Sequence, residues 1–130
     1  MKSKPTIIPF GEKQRPIIPV RISTKRGSVV AQLLVDTGAD VTIVRESLLM
    51  SLSPEEVGGG GIIFGGAAGR ALNCYMVDLE ILGHKFEQQV VVGNIDFMGI
   101  DGSEFCGVVG RDVLQYCELT LRGEQFSIRS

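Results

Sequence analysis

Residues 33–44 read LLVDTGADVTIV, a polar turn with two carboxylates between two apolar runs. Both runs are rich in Val, Leu or Ile and are typical of buried β-strands. A carboxylate beside a buried segment is costly unless it is paired, hydrogen-bonded or protonated. The turn can be an ordinary exposed loop, since Asp, Thr and Gly are common in turns. Alternatively, it is a functional site in which the partly buried carboxylate serves a chemical purpose. Because exposed turns rarely need apolar runs on both sides, the pattern favours a specific site.

Composition and charge narrow the classes of protein. The chain has 130 residues, of which 44% are apolar and 22% charged, so it fits one soluble globular domain with a modest core. The net charge of −2 gives no reason to expect a nucleic acid partner. No signal peptide or membrane-spanning run is seen, so we expect no membrane association and a cytoplasmic protein, unless it is excised from a longer precursor.

Cysteine and histidine give little support to metal or nucleophile chemistry. Cys74, Cys106 and Cys117 show no CxxC spacing, so reduced thiols are favoured over a disulfide framework or a zinc site. His84 is the one histidine and falls at a predicted turn. Because the chain has no GxSxG-type motif that could supply a nucleophile beside it, we expect an exposed turn histidine. The sequence therefore predicts no metal and no cofactor.

Short β-rich runs separated by turns follow one another along the chain. The sequence predicts hairpins around TKRG at 24–27, around Leu82-Gly83 and around Arg122-Gly123, with a short strand at 41–44. Many short strands at close spacing favour an all-β fold, a small closed or orthogonal barrel.

Helices and long loops take up little of the chain. Weak helical patterns occur before Pro54 and from about Arg111, which predicts one or two short helices. Residues 93–106 are expected to form a long loop. Residues 1–14 mix Lys, Pro and Gly and are interpreted as an N-terminal arm, which leaves residues 15–130 as the domain.

Residues 58–70, GGGGIIFGGAAGR, contain seven glycines. They match neither GxGxxG nor GxxxxG followed by Lys-Ser/Thr, so a phosphate-binding loop is not indicated. Two interpretations stay open, a flexible linker or hairpin and a mobile β-hairpin that folds over a ligand. The β-prone runs IIF and RALNCYMV on either side of GGAAG favour the second.

Paired carboxylates are the chemistry that VDTGA could supply. Two carboxyl groups that share one proton can activate a water and protonate a leaving group. Asp36 ends an apolar run, Gly38 lets backbone amides turn toward its carboxylate, and Thr37 offers a hydroxyl to brace the turn. The patterns LLVDTG and GVVGRD are alike, which is consistent with two related halves but does not establish a repeat.

Taken together, these motifs resemble the retropepsin-like aspartic proteases, a family that includes the proteases of retroviruses. The resemblance is carried by LLVDTGADVTIV, QRP at 14–16, the Gly-rich run, LGHK at 82–85 and VVGRDVL at 108–114. The motifs follow the family order over nearly the whole chain. The resemblance implies the small closed β-barrel of the retropepsin type, forming one half of a homodimeric enzyme.

The resemblance also implies roles for the residues of the DTG motif. Asp36 would be the catalytic aspartate, and Thr37 and Gly38 would build its supporting network. Ala39 and Asp40 would line the substrate groove.

Residues outside the motif receive roles in the same way. Arg111 would pair with Asp40, and Arg15 would reach across the dimer interface. The tip of a flap that closes over a bound peptide would comprise Gly65, Gly66, Ala67, Ala68 and Gly69.

One count determines the predicted oligomeric state. The chemistry needs two aspartates, whereas the chain holds one DTG triplet. Asp40 is too near Asp36 in sequence and Asp112 belongs to a different motif, so neither is a good second partner. Two identical chains meeting on a twofold axis would bring the two Asp36 carboxylates together.

The sequence therefore predicts a homodimeric aspartic endopeptidase that acts on peptide or protein substrates. Two other classes stay open. One is a catalytically inactive dimerisation or peptide-binding module of the same family, and the other is a monomeric small-molecule-binding β-barrel.

Three features depart from the retroviral pattern. The loop between Gly93 and Gly107 is longer, Ala67-Ala68 replaces a bulkier flap tip, and CELTLRGEQFSIRS predicts a C-terminal hairpin rather than one short strand. The hairpin is closer to cellular and bacterial members of the family. Viral specificity should therefore not be transferred, and the dimer sheet is expected to be built differently.

Overall fold

Strands make up most of the computed structural model, which describes residues 6–9, 16–57, 62–64, 70–94, 105–122 and 125–129. Twelve strands and two short helices lie within these residues. The strands are β1 Thr6–Pro9, β2 Ile17–Thr24, β3 Gly27–Val35, β4 Ile43–Arg45, β5 Glu55–Glu56, β6 Ile62–Phe64, β7 Arg70–Leu72, β8 Cys74–Ile81, β9 His84–Asn94, β10 Gly107–Val109, β11 Glu118–Arg122 and β12 Gln125–Arg129. The helices are α1 Glu46–Met50 and α2 Arg111–Leu114, and neither is long and apolar enough to cross a membrane.

The first predicted hairpin is formed by β2 and β3, which pair antiparallel on either side of a turn at residues 25–26. Along β2, Ile18, Val20 and Ile22 are fully buried and the residues between them are exposed. This alternation follows from the two-residue period of a strand whose one face lies on the core. The hydrophobic pattern therefore sets the register of the hairpin.

The second predicted hairpin is formed by β8 and β9. Its turn lies at Leu82 and Gly83, which both have positive φ angles, +51° and +87°. Two successive residues with positive φ match the twist of a tight β-hairpin, and glycine adopts this conformation without strain. His84 begins β9 and is half-buried, rather than fully exposed as the sequence predicted.

Six strands close into a barrel. They are hydrogen-bonded in the order β2-β3-β10-β4-β9-β8, and β8 pairs back onto β2. Strand β5 extends the sheet at β8. The prediction of a small closed β-barrel with one or two short helices is thus confirmed, and the described residues contain two.

A separate three-stranded sheet has the order β1-β12-β11. Strands β11 and β12 form the third predicted hairpin, whose turn lies outside the described residues. Strand β1 falls within the stretch interpreted as an N-terminal arm and pairs antiparallel with β12. Of the predicted loop at 93–106, residues 93 and 94 belong to β9, and residues 95–104 lie outside the described part.

Two glycines let β10 lie between β3 and β4. A Cβ on Gly107 would meet the Ile43 carbonyl oxygen and would lie 3.0 Å from the Val44 Cα. A Cβ on Gly110, directly after β10, would meet the backbone carbonyl of Val41 and lie 2.9 Å from its nitrogen. Both contacts are with backbone atoms, which cannot move aside as a flexible side chain can. Glycine is therefore required at both ends of β10.

A buried tyrosine connects α1 to β8. The Tyr75 hydroxyl donates a 2.5 Å hydrogen bond to the Glu46 carboxylate, and the Tyr75 side chain is 4% exposed. Burial, together with this hydrogen bond, raises the pKa of Tyr75 to about 12. A Cβ on Gly93 would lie 2.8 Å from the Tyr75 ring, so the ring packs directly on the β9 backbone.

Replacing Gly107 with Ala should lower the free energy of unfolding by about 1–3 kcal/mol, because the new Cβ overpacks against a backbone that cannot retreat. Urea unfolding measures the change. Gln32→Ala is the control, since Gln32 is exposed on the adjacent strand β3 and its truncation should shift stability by less than about 0.5 kcal/mol. Equal stability of the two variants would contradict the close approach of β10.

Tyr75 should make the fold sensitive to alkaline pH. Its pKa is raised from 10.0 to about 12 in the folded chain, so its contribution to stability is complete below pH 10 and is lost as pH rises through 12. Urea unfolding across this range should show a falling free energy of unfolding for the wild type, and a shallower fall for Tyr75→Phe. Tyr116→Phe, which keeps Tyr75, should follow the wild type. A Tyr75→Phe curve parallel to the wild type would refute the assignment.

Candidate active site

The two similar motifs of the sequence lie side by side in the structure. Strands β3 and β10 are parallel, with Leu34 opposite Val108 and Val35 opposite Val109. The chain leaves both strands at the same edge, at Asp36 and Gly110. The Asp36 amide donates a 3.0 Å hydrogen bond to the Val109 carbonyl, which fixes the first residue of the turn. LLVDTG and GVVGRD are therefore spatial neighbours.

The DTG turn folds back on its own carboxylate. The Gly38 amide donates a 2.9 Å hydrogen bond to Asp36 Oδ1, and the Ala39 amide donates a 3.1 Å bond to the Asp36 carbonyl. Asp36 is half-buried, and Thr37 and Gly38 are exposed. A Cβ on Gly38 would lie 3.2 Å from Asp36 Oδ1, so a larger residue would press on the oxygen that the amide binds. The backbone of the turn thus orients the Asp36 carboxylate through the Gly38 amide.

Helix α2 supports the far end of the turn through backbone hydrogen bonds. The Arg111 amide donates to the Ala39 carbonyl at 2.8 Å, and the Asp112 amide donates to the Asp40 carbonyl at 3.2 Å. These are amides of the first turn of α2, which have no partner within a helix. The turn and the helix therefore satisfy each other's backbone groups.

Asp40 and Arg111 form the ion pair that the resemblance implied, between Asp40 Oδ1 and Arg111 Nη2. The two side chains are 77% and 60% exposed. An exposed pair adds little stability, so the supporting bonds of the turn are those of the backbone. The role of this pair toward a substrate stays a prediction.

Sequence reasoning assigned no function to Thr42, which lies within the apolar run VTIV. It is fully buried, and among the described residues it is the one polar residue in the buried class. Its amide and hydroxyl donate to the two carboxylate oxygens of Asp112, at 3.0 and 2.8 Å. A threonine inside the otherwise apolar run VTIV was the available signal, since a buried hydroxyl needs partners.

Other predicted site residues are only partly covered by the structure. Strands β6 and β7 pair antiparallel, with Phe64 opposite Arg70, which agrees with a hairpin on either side of the predicted flap tip. The tip itself, Gly65 to Gly69, lies outside the described residues, as does Arg15. The neighbouring Pro16 is described, and its carbonyl accepts a 2.7 Å hydrogen bond from the Val35 amide.

The three cysteines are free thiols and lie away from the turn in sequence. Burial raises the pKa of the Cys74, Cys106 and Cys117 thiols. A raised pKa disfavours the reactive thiolate, and free thiols are what the sequence predicted for these residues.

Comparison with known proteins supports the same fold. The family model of the retroviral aspartyl protease matches residues 12–122. A retropepsin-like aspartic protease from Rickettsia conorii superposes with a TM-score of 0.69 at 13% sequence identity, over 99% of this chain and 93% of that one. At this identity the likeness concerns the fold.

Two viral structures are also similar. The EIAV protease, solved in complex with the inhibitor HBY-793, has a TM-score of 0.59 and 21% identity over 88% of this chain and 100% of that one. The foamy viral protease-reverse transcriptase has a TM-score of 0.51 and 16% identity, and the match covers 83% of this chain and 13% of that one. The viral and bacterial neighbours thus share one architecture with this chain.

Removing the Arg111 side chain should cost less than about 1 kcal/mol of unfolding free energy, because its pair with Asp40 is exposed and the Arg111 backbone bond to Ala39 remains. Urea unfolding of Arg111→Ala, with Asp40→Asn as the matched partner variant, measures this. A loss of about 3 kcal/mol or more, as for a buried pair, would contradict the backbone-supported turn.

Proposed function

This chain belongs to the retroviral aspartyl protease family, and on that premise we propose that it is an aspartic endopeptidase whose active site is assembled from the Asp36 residues of two identical chains. The substrates are peptides or proteins. The catalytic domain is proposed to begin at residue 15, as the sequence predicts.

The observation that carries the proposal is the geometry of Asp36. Asp36 is half-buried, and its carboxylate accepts a 2.9 Å hydrogen bond from the Gly38 amide. Asp36 directly follows β3, which is a strand of the closed barrel. Its backbone amide is bound to β10. A catalytic carboxylate must be positioned before the substrate arrives, and this arrangement provides such positioning.

The need for a second aspartate supports a homodimer. The sequence holds one DTG triplet, and Asp112 is occupied by hydrogen bonds to Thr42. Thr37 and Gly38, which directly follow Asp36 in the turn, are exposed. A twofold axis passing next to this turn would place the two Asp36 carboxylates in contact and the exposed residues at the interface.

The proposed reaction is hydrolysis by an activated water. One Asp36 carboxylate, acting as base, takes a proton from a water held between the pair, and the water oxygen attacks the peptide carbonyl carbon. The other, protonated Asp36 gives its proton to the carbonyl oxygen. Collapse of the resulting tetrahedral diol breaks the C–N bond and transfers a proton to the amine that leaves. Two like charges in contact favour the singly protonated pair that this sequence of steps requires.

Substrate binding is proposed to involve the turn and the flap. Ala39 is half-buried and Asp40 is exposed next to Asp36, so an extended peptide crossing the pair of carboxylates would run along them. The antiparallel strands β6 and β7 support a flap whose tip is Gly65 to Gly69. Closing a flap over a substrate excludes water other than the nucleophile.

An inactive module of the same family is the second candidate. It predicts dimerisation or peptide binding without cleavage. The intact DTG turn, with its carboxylate oriented by the Gly38 amide, favours the enzyme, because a binding module has no need for a positioned half-buried carboxylate. A small-molecule-binding barrel is less favoured, since the six strands of the barrel close around packed apolar side chains.

Asp36→Asn should abolish peptide cleavage, because an amide can neither accept the proton of the water nor share one with its partner. Cleavage of oxidised insulin B chain is followed by mass spectrometry, with pepstatin as inhibitor of the wild type. Glu87→Gln, which removes one exposed carboxylate from β9, is the matched control and should keep full activity.

Sedimentation of the same variants separates the candidate functions. A wild-type dimer that cleaves the peptide, with an Asp36→Asn dimer that does not, is the expected result. Unchanged cleavage by Asp36→Asn would refute the mechanism. A dimer without any cleavage would favour the inactive module, and a monomer without cleavage the small-molecule-binding barrel.

A further inference from the structure

The side chain of Asp112 contacts four hydrogen-bond donors. Its Oδ1 accepts from the Thr42 hydroxyl at 2.8 Å and from the Val113 amide at 2.9 Å. Its Oδ2 accepts from the Thr42 amide at 3.0 Å and from Gln89 Nε2 at 3.4 Å. An ionised carboxylate is acceptor-only, with room for about four hydrogen bonds, so it matches this set of donors.

An asparagine at this position would not match. Whichever way its amide is turned, the NH₂ group would face a backbone N–H, that of Thr42 or that of Val113. Gln89 could turn its own amide, but a backbone N–H cannot become an acceptor. With its NH₂ group toward Thr42 the side chain would leave the Thr42 amide without an acceptor. With the NH₂ group toward Val113, the Val113 amide keeps the Gly110 carbonyl, to which it also donates at 3.2 Å, but the Thr42 hydroxyl loses Asp112 as its acceptor. The donors around residue 112 therefore suit aspartate better than asparagine, which would lose one hydrogen bond of Thr42 in either orientation.

Thr42 transmits the position of Asp112 to the core. Its hydroxyl donates to Asp112 and also accepts from the Gly110 amide at 3.2 Å, and its carbonyl accepts from the Val92 amide at 3.0 Å. All of its polar groups are thus satisfied although the residue is fully buried. Thr42 connects β9, the end of β10 and α2 at one point.

Asp112 also contacts the catalytic turn itself. Its backbone amide donates to the Asp40 carbonyl at 3.2 Å, and the preceding amide, of Arg111, donates to the Ala39 carbonyl. A shift of α2 would therefore move residues 39 and 40, and through them the short turn that carries Asp36. The Asp112 side chain fixes α2 against Thr42, at the point where the turn re-enters the barrel.

We propose that Asp112, acting through Thr42, is a positioning residue for the Asp36 turn, and that its carboxylate serves this role better than an amide would. It does not touch the reacting atoms. The expected effect on kcat rests on the proposed peptidase function. The positioning of the turn can be measured without any cleavage.

The kinetic experiment compares four variants with the wild type on oxidised insulin B chain. Asp112→Asn and Thr42→Val should each lower kcat by about tenfold or more, because small displacements of a catalytic group reduce the rate steeply. Thr42→Ser keeps the hydroxyl and should stay within about threefold of the wild type. Ile22→Val is the stability control, since it removes one buried methylene from β2 without touching the turn.

A second measurement does not depend on activity. Amide hydrogen exchange, followed by NMR, reports the bonds of Asp36, Arg111 and Asp112 to their carbonyl partners. Exchange of these three amides should be faster in Asp112→Asn and Thr42→Val, and unchanged in Thr42→Ser and Ile22→Val. If the wild type itself cleaves nothing, the proposed function fails, and this measurement still decides the positioning role.

A purely structural role would give a different pattern. It would lower Tm while leaving kcat, measured well below Tm, as little affected as in Ile22→Val. That result would overturn the proposal, and so would amide exchange in Asp112→Asn at the wild-type rate. A Thr42→Ser variant as defective as Thr42→Val would also overturn it. Should Asp112→Asn fail to fold, the nearly isosteric Thr42→Val and its partner Thr42→Ser still give the decision.

Discussion

Strand β10 lies between β3 and β4 because its flanking glycines leave room for the neighbouring backbone. Through its parallel pairing with β3, the Val109 carbonyl is placed where it accepts the Asp36 amide. Through its continuation into α2, the amides of Arg111 and Asp112 reach the carbonyls of residues 39 and 40. The supports that the Asp36 turn receives from β10 and α2 thus depend on the close approach of this three-residue strand.

The supports of the Asp36 turn are backbone hydrogen bonds and one buried polar cluster, and the exposed Asp40–Arg111 pair contributes little to them. This division suits a site that must bind a substrate. Backbone bonds in a packed barrel are hardly affected by salt, whereas exposed charges are screened and can exchange partners with a ligand. In the proposed enzyme, Asp40 and Arg111 could therefore change partners on substrate binding without loosening Asp36.

Much of the barrel could be predicted from the sequence, because alternating burial and turn residues are local signals. The β2–β3 and β8–β9 hairpins and the start of α2 were located this way, and a resemblance in ordered motifs gave the fold type. The pairing of β10 with β3 could not be predicted from the pattern, since nothing local states which of several apolar runs will be neighbours. Strand β1 was missed because Lys, Pro and Gly around it concealed the short stretch TIIP.

Within the site, the residues of the DTG motif were identifiable because their types are unusual between apolar runs. Thr42 was not, because threonine is common in strands and only its complete burial shows that its hydroxyl needs partners. Asp112 was considered only as a second catalytic acid. Its actual surroundings, with hydrogen-bond donors on both oxygens, depend on three elements that are distant in sequence.

The late position of β10 in the chain has a consequence for folding. Leu34 meets its partner Val108 only after 74 further residues, and Thr42 is separated from Asp112 by 70. Contacts so distant in sequence form slowly and last, since the loop must be closed before they contribute energy. During synthesis, the first hairpin can form on the ribosome while the Asp36 turn still lacks its partners on β10 and α2. A nascent chain of this protein therefore carries the aspartate long before it carries an ordered site.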